Sequence, residues 1–168
     1  MKNKIELGTN KPREGWTTID RVDGADIKCD LLHRIPLDSN SVDVIYCSHF
    51  LEHFNYNQCI KILNECKRIL KPNGQIMVSV PNARLWIEAY IFDKEVFINQ
   101  TFYHDTKSKI DRLNYIAYLN SGQHKNMFDQ ESLINTLNIA GFKNCRKRDF
   151  DPTLDNRKDE SIFAIAEK

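Results

Sequence analysis

Five short runs decide the fold: Ile5-Glu6-Leu7-Gly8, Thr17-Thr18-Ile19-Asp20, Asp26-Ile27-Lys28-Cys29-Asp30, Val42-Asp43-Val44-Ile45-Tyr46-Cys47-Ser48 and Gly74-Gln75-Ile76-Met77-Val78-Ser79-Val80. They are rich in apolar and β-branched residues, which fit a pleated, half-buried surface. Pro81 closes the fifth, because it cannot donate to a strand ladder. Between the fourth and fifth runs, Asn57 to Lys71 places Cys59, Leu63, Cys66 and Leu70 on one face, with Ile62 and Ile69 beside them. That 3.6-residue period predicts an amphipathic helix. Lys71-Pro72-Asn73-Gly74 reads as its stop and turn. Strands alternating with helices give the α/β class.

Further along, Asp129 predicts a helix cap, with Leu133, Ile134, Leu137 and Ala140 as the buried stripe and Gly141 at the left-handed terminal position. Phe142 to Phe150 and Ser161 to Ala166 read as late strands, joined by the polar loop Asp151 to Glu160. Residues 84–126 fit neither period. They hold eight of the seventeen aromatics, so they read as an insertion within a single 1–168 domain: a lid, an acceptor pocket or an association surface.

Composition bounds the rest. The 168 residues suit one core, and 41% hydrophobic with 28% charged is a globular balance. A net charge of +1 argues against a dedicated nucleic-acid binder. No apolar run approaches the roughly 20 residues of a membrane span. Met1 to Leu7 shows no signal-peptide core, and five cysteines without a C-x-x-C pair suit a reducing cytoplasm. The cysteines read as structural, on strands and on the helix face.

The ordered set from Ile5 to Pro81 includes Ile35-Pro36-Leu37-Asp38, Ser48-His49-Phe50-Leu51-Glu52-His53 and Leu63-Asn64-Glu65-Cys66-Lys67-Arg68-Ile69-Leu70-Lys71-Pro72-Asn73-Gly74. It resembles the class I S-adenosylmethionine-dependent methyltransferases, in particular the methyltransferase type 11 group, over essentially the whole chain. The resemblance implies a Rossmann-like sheet of strand order 3-2-1-4-5-7-6, the last strand antiparallel, with the aromatic insertion after strand 5. It implies S-adenosylmethionine as cofactor and a small-molecule acceptor, weakly a sugar or cell-surface polysaccharide precursor. It also places the cofactor on Glu6, Leu7, Gly8, Thr9, Asn10, Asp20, Arg21, Asp30, Leu31, Ser48 and His49. The physics agrees, since open parallel sheets bind ligands beyond the carboxyl ends of their strands. Gly8 lets backbone approach a ligand closely. Asp20 can accept two ribose hydroxyls, Asp30 faces the adenine in the family, and Leu31 can pack on the ring. The family's usual second glycine is missing from Gly8-Thr9-Asn10-Lys11-Pro12, where Asn10 tolerates the left-handed region.

Methyl transfer is mostly positioning, worth about 7–11 kcal/mol. An oxygen acceptor can add a base; the candidates are His53, His104 and His124, with Asp105 behind them. One motif competes: His49-Phe50-Leu51-Glu52-His53 matches H-x-x-E-H, an inverted zinc-peptidase signature. It follows directly on a strand and no third ligand is clear downstream, so no metal site is expected. A third reading keeps the fold as a non-catalytic binding or scaffold subunit. The aromatic insertion is expected to cover the acceptor site and to support a homodimer, with no nucleic acid and no membrane among the partners.

Overall fold

The computed structural model describes residues 2–94 and 108–168. In chain order the elements are β1 (Lys4–Leu7), β2 (Thr17–Asp20), β3 (Ile27–Lys28), β4 (Val42–Ser48), a 3₁₀ turn (Leu51–His53), α1 (Tyr56–Ile69), β5 (Leu70–Pro81), α2 (Ala83–Ile91), α3 (Lys109–Gly122), α4 (Gln130–Ile139), β6 (Lys143–Lys147) and β7 (Ser161–Glu167). They build one seven-stranded sheet of order β3-β2-β1-β4-β5-β7-β6. β1 to β5 pair in parallel, and β7 runs antiparallel to both β5 and β6. The expected α/β class and strand order are both present.

The helices form where the sequence supplies caps. Asn55 and Gln58 bond reciprocally at the start of α1, and Asp129 and Ser132 do so at α4. Gly141 takes a φ of +81° just past α4, as expected of a C-terminal glycine. The apolar face of α1 (Cys59, Ile62, Leu63, Cys66, Ile69) and Leu133 and Leu137 of α4 join the strand side chains in one core. Each fully buried Leu or Ile contributes roughly 1.5–3 kcal/mol.

Three expectations change. The stop at Lys71-Pro72-Asn73-Gly74 lies inside β5, where Asn73 is left-handed at φ 64° and the register slips between Val42↔Leu70 and Val44↔Gln75. The turn residues act as a strand irregularity. β6 stops at Lys147 because the chain then turns to bring Arg148 and Asp155 together. Asp155 is buried, accepts a 3.0 Å bond from the Tyr46 hydroxyl and is ion-paired to Arg148. Most of the described part of residues 84–126 is helical: α2 and α3 pack together, with Trp86 and Ile116 buried and Phe92 and Tyr118 exposed. Ala83, Trp86 and Ala89 carry the inward face of α2. Residues 95–107, and with them His104, Asp105 and the centre of the expected cover, lie outside the described residues. Among the described residues no helix is long and apolar enough to cross a membrane.

Candidate functional site

The strand order reverses between β1 and β4, which opens a crevice at the carboxyl edge of the sheet. Register fixes what reaches that edge. Leu7 pairs with both Ile19 and Cys47, so the next residues, Gly8, Asp20 and Ser48, lie level with one another at that edge. A cavity of about 590 Å³ opens here, within the range of ligand pockets. Gly8, Asp20, Asp30, Leu31, His49 and His53 are on its wall, and Arg21 is beside them. Seven of the residues nominated from sequence thus converge.

Others do not line it. Glu6 lies buried in β1 and pairs with Arg13 at 3.0 Å; burial raises its carboxyl pKa, against the pull of Arg13. Leu7 belongs to the core. Thr9 accepts from the Lys11 amide through Oγ1, and the Asn10 side chain donates to the Asp23 carbonyl, both within the loops. Ser48 is half-buried. The left-handed residues of the first loop are Gly8 and Gly15, not Asn10. His124 is buried, with Nδ1 2.7 Å from the Ile116 carbonyl oxygen.

Asp20 and Asp30 hold the loops that follow them: Asp20 Oδ1 accepts from the Val22 amide at 3.2 Å and Asp30 Oδ1 from the Leu32 amide at 3.0 Å. Each carboxylate keeps acceptor capacity toward the cavity, since an ionised carboxylate has about four lone-pair sites.

His49 sits just beyond β4 in the left-handed region, at φ 48°. Its amide donates to the Ser79 carbonyl of β5 at 2.9 Å. Its Nδ1 is 3.1 Å from an Arg157 guanidinium nitrogen and its Nε2 is 2.8 Å from Ser161 Oγ. A guanidinium can only donate, so Nδ1 accepts and Nε2–H donates to Ser161. Burial, and then the Arg157 charge, push the imidazole down to about 3. His49 is a neutral, fully engaged ring and not a free base.

Glu52 lies under it. Its side chain is 3% exposed, and burial pushes the carboxyl up to about 8. Oε1 stands 3.6 Å from His49 Nδ1 and 3.9 Å from His53 Nε2, and among the described residues Oε2 has no hydrogen-bond partner. The Glu52 carbonyl accepts from the Lys125 amide at 2.8 Å and the Asn126 amide at 3.2 Å, which docks the loop before α4 onto the 3₁₀ turn.

Two aromatic wall residues escaped the sequence reading. A Cβ on Gly8 would lie 2.3 Å from a ring carbon of Phe50, and Phe50 stacks edge-on with Phe54 at 4.9 Å. The close approach that Gly8 permits is therefore made by the chain's own phenyl ring. The available signal was the pair of phenylalanines flanking Leu51-Glu52-His53. Gln58, Gln123 and Lys125 complete that side; isolated polar residues give no sequence signal.

The family described as a methyltransferase domain matches residues 9–147. An uncharacterized protein of Methanocaldococcus jannaschii is 40% identical over 67 residues, covering 40% of this chain; the match spans only 28% of that protein's length. A SAM-dependent methyltransferase from Archaeoglobus fulgidus superposes with a TM-score of 0.61 at 14% identity, covering 99% of this chain and 86% of that one. One from Mesorhizobium loti gives 0.62 at 13% identity, covering 99% and 90%. A Haloferax volcanii methyltransferase solved with the Trm112 activator gives 0.59 at 13%, covering 99% and 82%. At such identity these structures speak for the fold, and the family match speaks for the lineage. The chain belongs to the methyltransferase-domain family.

Proposed function

We propose that the cavity binds S-adenosylmethionine and that the chain methylates a small hydroxylated acceptor, such as a sugar or cell-surface polysaccharide precursor. The observation that carries the reading is the meeting of Gly8, Asp20, Asp30 and His49 on one cavity wall at the sheet's switch point. Asp20 would take the ribose hydroxyls, Asp30 and Leu31 the adenine, and the His49–Phe50 side the amino-acid end. The cofactor supplies an already activated methyl group. The chain then has only to orient the acceptor and exclude water, which suits a wall of apolar and aromatic side chains. His53 is the wall imidazole whose Nδ1 is bonded to the Gln123 carbonyl, and so the candidate to receive an acceptor proton at Nε2.

The exposed Ile91, Phe92 and Tyr118 support association of two copies through α2 and α3 as part of this reading. Five unpaired cysteines support a reducing, cytoplasmic setting. The Phe50 ring seated on Gly8 favours a second reading, a methyltransferase fold retained as a non-catalytic binding or scaffold subunit.

Calorimetric titration with S-adenosylhomocysteine separates the two. The expected result is one site per chain, weakened about 10- to 100-fold in Asp20→Ala, the loss of a hydrogen bond to a charged group. Absence of S-adenosylhomocysteine binding selects the second reading, and unchanged affinity in the variant removes Asp20 from the site.

A further inference from the structure

Glu52, His53 and His124 come together in a way the H-x-x-E-H reading does not anticipate. One ligand atom from each lies within 4.8 Å of the others. Both imidazoles are oriented alike: Nδ1 of His53 is 3.2 Å from the Gln123 carbonyl oxygen, and Nδ1 of His124 is 2.7 Å from that of Ile116. A carbonyl only accepts, so each ring donates through Nδ1–H and leaves the Nε2 lone pair free. Anchoring the far nitrogen to a carbonyl is how proteins hold metal-ligating histidines. The rings meet edge to face at 5.1 Å. Beside them lies the nearly inaccessible Glu52 carboxyl, whose Oε2 has no hydrogen-bond partner among the described residues. A buried oxygen without a partner is costly unless something else satisfies it.

We propose that Glu52, His53 and His124 bind a divalent transition-metal cation of the zinc class. Two imidazoles and one carboxylate are a zinc-type donor set, whereas magnesium and calcium prefer oxygen alone. In tetrahedral zinc sites neighbouring ligand atoms lie about 3.3 Å apart, so the trio closes by roughly an ångström on loading. The half-exposed His53 lines the large cavity, while Glu52 and His124 are buried. His49 is not a ligand, because Ser161 and Arg157 occupy its two nitrogens. The motif's first histidine is thus replaced by His124, which the loop before α4 delivers. Leu51 to His53 form a 3₁₀ turn rather than the α-helix that would align His49 with His53. A metal on His53 Nε2 would take the lone pair that could otherwise receive an acceptor proton, so metal ligation and the base role of His53 exclude each other; the inference does not rest on methyl transfer, and its test reads metal binding alone.

The experiment titrates chelator-treated full-length protein with Co²⁺, followed by its visible absorption, and then with competing Zn²⁺. The expected result is one Co²⁺ per chain bound at micromolar concentration or tighter and displaced by Zn²⁺. His53→Ala and Glu52→Gln should each weaken binding by about 100-fold or more, beyond what outer-shell changes cost. His49→Gln should cost less than either, within the roughly 10- to 100-fold of an outer-shell change. Circular dichroism checks each variant's fold; His53 is half-exposed, so its truncation keeps the test valid if His124→Gln does not fold. The proposal is overturned by absence of stoichiometric binding, by binding that survives both His53→Ala and Glu52→Gln, or by equal losses in His49→Gln and His53→Ala.

Discussion

Replacing Glu52 by Gln keeps the shape of a buried side chain and removes its titration. In the folded chain burial raises this carboxyl from the ordinary 4.5 to about 8, while the Arg157 charge pulls weakly the other way. A raised folded value stabilises fully below the unfolded value and loses that contribution as pH rises through the folded one. The wild-type chain should therefore lose stability between about pH 4.5 and 8 relative to Glu52→Gln, and run parallel to it above that window. Each tenfold change in proton affinity is about 1.4 kcal/mol, so the loss reaches roughly 3–5 kcal/mol by pH 8. His49 slopes oppositely: held at about 3, its contribution is present above the ordinary 6.5 and fades as pH falls toward 3. That slope is common to both proteins and cancels in the difference. The assay is urea denaturation of both proteins with chelator present at half-unit steps from pH 4 to pH 9 (about ten conditions). Parallel profiles across the whole range would refute a buried, protonated Glu52.

Asp155→Asn should cost about 3–5 kcal/mol in the same assay, because it leaves Arg148 buried without its charge partner. Burial raises the Asp155 carboxyl, but Arg148, the Asp151 amide and Tyr46 together outweigh it and hold it below its ordinary value. Its contribution is thus present above the ordinary carboxylate range and lost as pH falls through the depressed value, a loss Asp155→Asn should lack. Gly8→Ala should cost at least about 1–2 kcal/mol from the left-handed backbone alone, plus displacement of Phe50. Thermal melts in a Phe50→Ala background should show a smaller cost; equal costs in both backgrounds would mean that Phe50 does not press on Gly8.

Much of the sheet was legible because its strands are short apolar runs and its helices carry their own caps. Asp129 and Gly141 mark both ends of α4 in the sequence, and the structure places them so. β6 was overextended because Arg148 and Phe150 continue a plausible strand, and only the distant Tyr46 and Asp155 explain the break. Asp20, Asp30 and His49 were readable as strand-end residues, since their place follows from register. Glu6 and Leu7 were not separable from them, because side-chain direction at the end of a four-residue strand depends on the neighbouring Arg13 and the core. The partnership of His124 with Glu52 and His53 was invisible. It depends on the loop before α4 folding back across some 70 positions of sequence, which no local spacing encodes.

The most direct measurement of the central claim is a crystal structure of the chain with S-adenosylhomocysteine. The account expects the ligand in the cavity at the carboxyl ends of β1, β2 and β4, with its ribose hydroxyls bonded to the Asp20 carboxylate and its adenine beside Leu31. A ligand bound elsewhere, or one in the cavity that leaves Asp20 without contact, would contradict it.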